Sequence, residues 1–438
     1  MNPRSIGLAQ QLLAAAQAIC GVLEGRSLSD TLERTPADLR PAAQALSFYA
    51  MRQLGFAQAA QALLVPRRPA NRLTEAMLLL GLCLLEARLR EDDGQSQAPG
   101  TPLYAGHTLV NQLVQAAAAD HHTRPAKNMI NAVLRRYGRE RNTLLTQIQS
   151  QGLARWNHPD WWIQAMQQAW PEHWQAILQS GECPPPMTLR VNIRQISRVD
   201  FLAHLTQAEV AAYPVGISGV QLAQPRPVRE IPGFTEGWWS VQDISAQQAG
   251  DLLPLQDGMR VLDACAAPGG KTAHLLERAR MDLTALDSDA TRLARVNENL
   301  QRLQLLGETI RLQCADAADP AAWWDGRPYD AILADVPCTA SGVVRRHPDI
   351  RWLRRATDLK QTAALQARII DALWPLLKPG GHLLYATCSV FPQEGEQQIQ
   401  AFMTRHPEAL RRLAPGHLLP GAAGAGDGFF YALIRKPV

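Results

Sequence analysis

The sequence predicts a multidomain protein. An all-α front is followed by a small α+β link and then an α/β Rossmann-like domain with a parallel sheet. Three observations predict this. Residues 1–145 are dominated by alanine, leucine and glutamine, with apolar residues recurring at three and four positions. Residues 146–236 switch to tryptophan, proline and short strand-like runs. From residue 237 to 438, strand and helix patterns alternate, which implies a sheet covered on both faces. A chain of 438 residues is long enough for two or three cores.

The bulk composition is that of an ordinary globular protein, 46% hydrophobic and 19% charged. A net charge of +4 is too small to argue for nucleic acid, so local clusters must carry that argument. The seven cysteines are scattered and form no CxxC. That pattern predicts neither a disulfide framework nor a metal site, and it points to a reducing, cytoplasmic location. Leu12–Ala16 is flanked by Gln10, Gln11 and Gln17, which makes it an amphipathic helix rather than a signal-peptide core. Met77–Leu85 is apolar but too short to span a bilayer, so no membrane partner is expected. A monomer is expected.

In the front segment the apolar periodicity predicts helices over Ala9–Glu24, Ala37–Leu54, Arg72–Arg90, Gly106–Ala118 and Pro125–Tyr137. Glu91–Pro102 is polar with glycine and two prolines, and reads as a loop. Arg124, Lys127, Arg135, Arg136, Arg139 and Arg141 mark the last helix. They read first as a solvated face, with an RNA-facing patch as the alternative. In the link, Trp156, Trp161, Trp162, Trp170 and Trp174 are expected to be core anchors. A strand is expected at Met187–Ile193, where Arg190 and Asn192 share a face and could meet phosphate or sugar. Further strands are expected at Arg260–Asp263, Leu283–Asp287, Ile310–Cys314, Ala331–Asp335 and His382–Ala386. Helices are expected between them, as at Thr291–Leu303 and Asp358–Leu377. The tail, Gly428–Ile434, reads as a last β segment after a glycine-rich turn.

Val261–Thr272 is the centre of the last domain. An apolar strand passes through Ala264, Cys265, Ala266 and Ala267, bends at Pro268, Gly269 and Gly270, and opens a helix with Lys271 in its first turn. Small residues let a ligand lie against the backbone, and a helix N-terminus favours an anionic group. GxGxxG is absent, and GxxxxGK[ST] fails because residue 266 is alanine. Asp287 ends the next strand, about 20 residues on, the interval for a ribose-binding acid. Together these point to a nucleoside-type cofactor.

Three further strands end in reactive or acidic groups, at Cys314-Ala315-Asp316, Asp335-Val336-Pro337-Cys338 and Ala386-Thr387-Cys388-Ser389. Strand carboxyl ends face the ligand crevice of an open α/β sheet, so these groups should converge beside the glycine turn. Cys20, Cys83, Cys183, Cys265 and Cys314 read as inert, small core residues. Arg345, Arg346, His347, Arg351, Arg354 and Arg355 follow the Pro-Cys segment and are expected to contact phosphate.

Ala264–Thr272 (ACAAPGGKT), Asp335–Cys338 (DVPC) and Thr387–Ser389 (TCS) together resemble the RNA cytosine-5 methyltransferases of the Nol1/Nop2/Sun group. The likeness runs from about Gly219 to the C-terminus and includes Ser240–Asp243 and Asp427–Ala432. The first 145 residues are similar to the NusB RNA-binding fold. The resemblance implies S-adenosylmethionine as cofactor, held by Ala264–Lys271 with Asp287 on the ribose and Asp316 near the adenine. It assigns the nucleophile to Cys388, product release to Cys338, and a hydrogen bond on the cytosine ring, with a possible cofactor contact, to Asp335. The NusB-like front implies small-subunit (16S) ribosomal RNA as substrate. Transfer RNA is the alternative, and a non-catalytic RNA-binding assembly factor is a reading of another class.

Overall fold

The structure is a computed structural model that describes residues 6–98, 100–421 and 426–438. Most of the glycine-rich turn expected before the tail, residues 422–425, lies outside the described residues. The chain forms two compact units. One is Met1–Pro184 with Val344–Arg355, and the other is Pro185–Val343 with Ala356–Val438.

The first unit is helical throughout, with helices at Leu8–Leu23, Arg40–Arg52, Leu54–Leu64, Arg72–Asp92, Gly106–Ala119 and Lys127–Gln149. Met77, Leu78, Leu79, Leu80 and Leu82 are fully buried in the fourth of these, so the apolar run is a core helix. The single helix expected over Ala37–Leu54 is two. The chain turns at Gln53 because Asn157 accepts the Gly55 amide at 2.7 Å. A side chain at Gly55 would meet the Leu153 carbonyl at 2.3 Å. The last helix runs past Tyr137 to Gln149, which buries Leu144 and Ile148. It also turns Arg141 inward, off the basic face, to grip buried Glu86 at 2.7 and 3.0 Å. Trp162 is buried as a core anchor, whereas Trp156 and Trp174 are half-buried and pack on each other at 4.7 Å.

Val344–Arg355 belongs to this unit. Asp349 accepts the Leu28 amide at 2.8 Å, and the Trp352 indole donates to Met51 at 3.1 Å. Arg351, expected on phosphate, is instead fully buried. It pairs with Glu182 and donates to the Gly181 carbonyl at 2.8 Å. The carbonyls and the acid that satisfy it lie in the Asn157–Glu182 region, out of view of any local sequence pattern.

The second unit holds two sheets. The smaller is antiparallel and contains β1 (Thr188–Val191), β2 (Ala212–Val215), β3 (Gly219–Leu222) and β4 (Trp239–Val241), in the order β2-β3-β1-β4. Arg190 and Asn192, read as a polar face that could meet phosphate or sugar, are fully buried. Arg190 pairs with Glu277, and Asn192 donates to the Gly237 and Leu303 carbonyls at 3.0 Å each. These side chains thus fasten the small sheet onto the helices Gly270–Arg278 and Ala290–Arg302 that flank the larger one.

The larger sheet contains β5 (Arg260–Asp263), β6 (Asp282–Asp287), β7 (Ile310–Cys314), β8 (Tyr329–Asp335), β9 (Leu377–Thr387), β10 (Leu410–Leu418) and β11 (Phe429–Arg435). Its order is β10-β11-β9-β8-β5-β6-β7. The five strands β7, β6, β5, β8 and β9 are parallel, and β11 and β10 complete the edge antiparallel. The Rossmann-like sheet expected is present, but it is mixed where a parallel one is expected, because β11 and β10 run antiparallel. β10 was not expected, because Pro415 and Gly416 interrupt its pattern. A register shift between Arg412 and Gly416 accommodates them. Among the described residues no helix is long and apolar enough to cross a membrane, and no cluster of metal-ligating side chains occurs.

Candidate active site

The strand order puts the carboxyl ends of β6, β5, β8 and β9 side by side, so Asp287, Asp263, Asp335 and Cys388 lie along one edge of the sheet. β5 passes into the turn as expected. The Ala264 amide donates to Leu333 at 2.9 Å and the Ala266 amide to Leu286 at 2.8 Å, which pins the turn to both neighbouring strands. Gly269 sits at φ 93°, where only glycine is at ease, and the helix Gly270–Arg278 starts from it. Arg190 donates to the Gly270 carbonyl at 2.6 Å and fixes the first helical residue. Pro268 follows a cis peptide bond.

Asp287 is buried and accepts the Ala267 amide at 3.1 Å and the Asp289 amide at 3.1 Å. One lone pair on each oxygen remains for further donors. Asp316 stands exposed beyond β7 and accepts the Ala318 amide at 2.9 Å. Lys271 reaches back from the helix to Asp335, Nζ to Oδ2 at 2.6 Å, over the face of Phe429 at 5.1 Å. Burial would lower the Lys271 ammonium, but the Asp335 carboxylate outweighs it and holds the ammonium above the usual lysine value.

The two cysteine segments meet. Cys338 Sγ and Cys388 Sγ are 3.4 Å apart. The Val336 amide donates to Ala386 at 3.2 Å, and the Gly342 amide donates to the Cys388 carbonyl at 2.9 Å. Gly342 cannot carry a side chain, because a Cβ there would sit 2.0 Å from the Gly428 carbonyl. The hydrogen bond to Cys388 and then burial push the Cys338 thiol far above its ordinary range. The direction favours the protonated thiol at Cys338, and either sulfur can donate across the 3.4 Å contact. Burial does the same to Cys265, which suits packing and not nucleophilic work. Cys183 and Cys314, expected in the core, are exposed.

The motif segments outside the strands also join. Asp243 caps the helix Ile244–Leu252 through the Ser245 amide at 2.8 Å and accepts the Asp427 amide at 2.8 Å. Two buried acids were missed. Asp263 accepts the Thr272 hydroxyl at 2.7 Å, and burial pushes its carboxyl up to about 7. Its place at the end of the first parallel strand was a usable signal. Glu394 takes a hydrogen bond from Ser389, the neighbour of Cys388, and no sequence pattern marks it.

The chain is similar to known proteins. Ribosomal RNA small subunit methyltransferase B of Pseudomonas putida is 43% identical over 100% of this chain and 99% of its own. The protein of the same name from Vibrio cholerae is 42% identical over 97% and 96%. Residues 251–435 match the family described as 16S rRNA methyltransferase RsmB/F. The chain belongs to the RsmB/F family. Residues 158–229 match the ferredoxin-like domain of RsmF/B-like methyltransferases, which covers β1, β2 and β3 of the small sheet. The Nol1/Nop2/Sun resemblance is therefore correct at the level of the family. The crystal structure of PH0851 superposes with a TM-score of 0.78 over 99% of both chains at 21% identity, a likeness of fold. A methyltransferase homolog from Pyrococcus horikoshii gives 0.56 over 65% of this chain and 97% of its own, at 28% identity. The paired cysteines, the Lys271–Asp335 ion pair and the glycine turn of this RsmB/F chain thus sit on a methyltransferase sheet.

Proposed function

We propose that this protein methylates carbon 5 of a cytidine in small-subunit ribosomal RNA, with S-adenosylmethionine as donor and a covalent cysteine–cytosine adduct as intermediate. The observation that carries the reading is the 3.4 Å approach of Cys338 and Cys388 at the ends of adjacent parallel strands. The relatives named for the ribosomal small subunit favour that RNA over transfer RNA.

The residues present fit the cofactor. Ala264, Ala266 and Ala267 put no bulky side chain in the turn, Asp287 keeps lone pairs for ribose hydroxyls, and exposed Asp316 suits an adenine amine. Cys265, Pro268, Gly269 and Gly270 shape the turn, while Lys271 and the helix N-terminus suit a carboxylate. When bound, S-adenosylmethionine supplies an electrophilic methyl group on a sulfonium sulfur.

Carbon 5 of cytosine is a poor nucleophile until sulfur adds to the ring. The Cys388 thiolate forms a bond to carbon 6, and the ring π pair moves to carbon 5, which takes the methyl group. Transfer of the carbon-5 proton to solvent water then lets the C–H pair restore the ring double bond while the bond between carbon 6 and sulfur breaks and Cys388 leaves as thiolate. Cys338, protonated and beside that sulfur, assists this release. Asp335 hydrogen-bonds the ring as charge shifts, and Lys271 stabilises negative charge on the same side. The target base must leave its stack to reach these groups. In this reading residues 1–145 form a NusB-like RNA-binding module, residues 146–236 a linking one, and residues 237–438 the catalytic one, acting in the cytoplasm as a monomer without metal.

Methylation of ribosomal RNA with labelled cofactor tests the scheme. Cys388→Ala is expected to lose roughly a thousandfold or more in rate. Cys338→Ala is expected to accumulate a protein–RNA adduct on a denaturing gel. Full activity in the first variant, or no adduct in the second, refutes the two-cysteine mechanism. Unmodified transfer RNA in competition should not displace the ribosomal substrate.

A further inference from the structure

We infer that Glu394 is the positioning residue that sets the separation and alignment of the two cysteines. The inference rests on the two-cysteine reading above and adds a third side chain to it. Glu394 has no exposed surface and lies in the turn Pro392–Glu394, ahead of the helix Glu396–Arg405. Its carboxylate accepts the Thr339 amide at 2.8 Å and also the Thr339 hydroxyl. It accepts the Ser389 hydroxyl at 2.5 Å. Thr339 directly follows Cys338, and Ser389 directly follows Cys388. One carboxylate therefore grips the residue next to each sulfur.

The remaining contacts anchor the carboxylate itself. Thr362 and Gln366, on the helix Ala356–Leu373, donate to it at 2.6 and 3.2 Å. Gln366 also donates to the Pro337 carbonyl at 2.9 Å, so Cys338 is held from both sides in the chain. The Ser389 hydroxyl further meets Ser341 at 2.9 Å, and Ser341 accepts the Val390 amide at 3.0 Å. A buried carboxylate is costly unless donors surround it. Here donors come from four residues on three segments, and two of the segments carry the sulfur atoms. An apolar residue of equal size would fill the space but could not tie the loops together. The negative charge of Glu394 also adds to the influences that keep Cys338 protonated. Glu394 has no path to the substrate, so it acts through the cysteines.

The test uses the full-length protein and two readouts. The first is the rate of iodoacetamide alkylation at Cys388 and Cys338, mapped separately by mass spectrometry on free enzyme. The second is steady-state methylation, with kcat and the cofactor KM determined apart. Glu394→Gln is expected to lower kcat about 10–100-fold and leave the cofactor KM within about twofold. It is also expected to change the Cys388-to-Cys338 alkylation ratio by about fivefold or more, well below the variant's melting temperature. Ser389→Ala removes only one arm and is expected to move both readouts the same way by a smaller factor. It decides the matter if Glu394→Gln does not fold. A Glu394→Gln protein that melts earlier but keeps its kcat and alkylation ratio overturns the inference, as does a Ser389→Ala protein unchanged in both. Failure of the underlying reading looks different. Cys388→Ala would then stay active, whereas the alkylation ratio would still report whether Glu394 sets the thiol pair.

Discussion

Two ion pairs hold opposite ends of the helix Gly270–Arg278, and they are built differently. Arg190 and Glu277 are both buried and meet through two contacts of 2.7 Å. Two more N–H groups of Arg190 go to Gln242 and Gly270 at 2.6 Å each. Lys271 and Asp335 meet through one contact of 2.6 Å, with side chains 13% and 25% exposed. The first pair is bidentate and buried, so it can only hold or break. The second joins a flexible ammonium to a carboxylate with free lone pairs, so either partner can turn to a ligand. Burial and bidentate contact mark the frame, and partial exposure marks the working group.

The strongest way to break that contrast is to remove Arg190. Arg190→Ala leaves Glu277 buried among groups chosen for a guanidinium, and burial already pushes the Glu277 carboxyl upward with its partner present. The expected loss is about 3–5 kcal/mol of unfolding free energy, read from urea titration. A loss under about 1 kcal/mol would show that the pair is not part of the frame. Asp335→Asn should behave in the reverse way. Stability should change by less than about 1 kcal/mol, while kcat should fall about 100-fold, close to 2.7 kcal/mol of barrier. Without the carboxylate, burial prevails and the Lys271 ammonium titrates lower, which nitrogen NMR of the lysine detects. Equal losses of stability from both variants would erase the distinction.

The same contrast explains which features could be read from the sequence. Parallel strands declared themselves because each buried run ends in a polar residue at the sheet edge, as at Asp287 and Asp335. Cys338 and Cys388 were legible because both lie within three residues of a strand end. Arg190 was not, since its partner Glu277 lies 87 residues away. Arg351 finds Glu182 at a separation of 169, and Arg141 finds Glu86 at 55. An arginine in a sequence carries its charge but not its direction, so all three were placed outward and all three point in. Glu394 was hidden for the same reason, because Thr339 reaches it across 55 residues. Only the fold decides which charges become frame.

Asp263 sharpens the comparison from within the site, with the smallest expected effect. It ends β5 fully buried, and Lys271 and Asp335 both influence it. Two carboxyls compete for one ammonium, and Asp335 holds the contact. Burial, with added repulsion from Asp335, therefore pushes Asp263 up to about 7. The unfolded value is about 4, so between about pH 4 and about pH 7 the folded chain keeps a proton that the unfolded chain has lost. Stability from this group is complete below pH ~4 and drains away as pH rises through about 7. Buried His158 works in the opposite sense, since burial drives its imidazole far down and acid must charge it. Urea titrations of wild type and Asp263→Asn at several pH values separate the two, because His158 is common to both. The wild type should lose on the order of 1–3 kcal/mol relative to the variant between pH 5 and 8. A difference that does not vary with pH would mean that Asp263 is ionised throughout. The lone ammonium of Lys271 would then serve two carboxylates, and the working pair would be a triad.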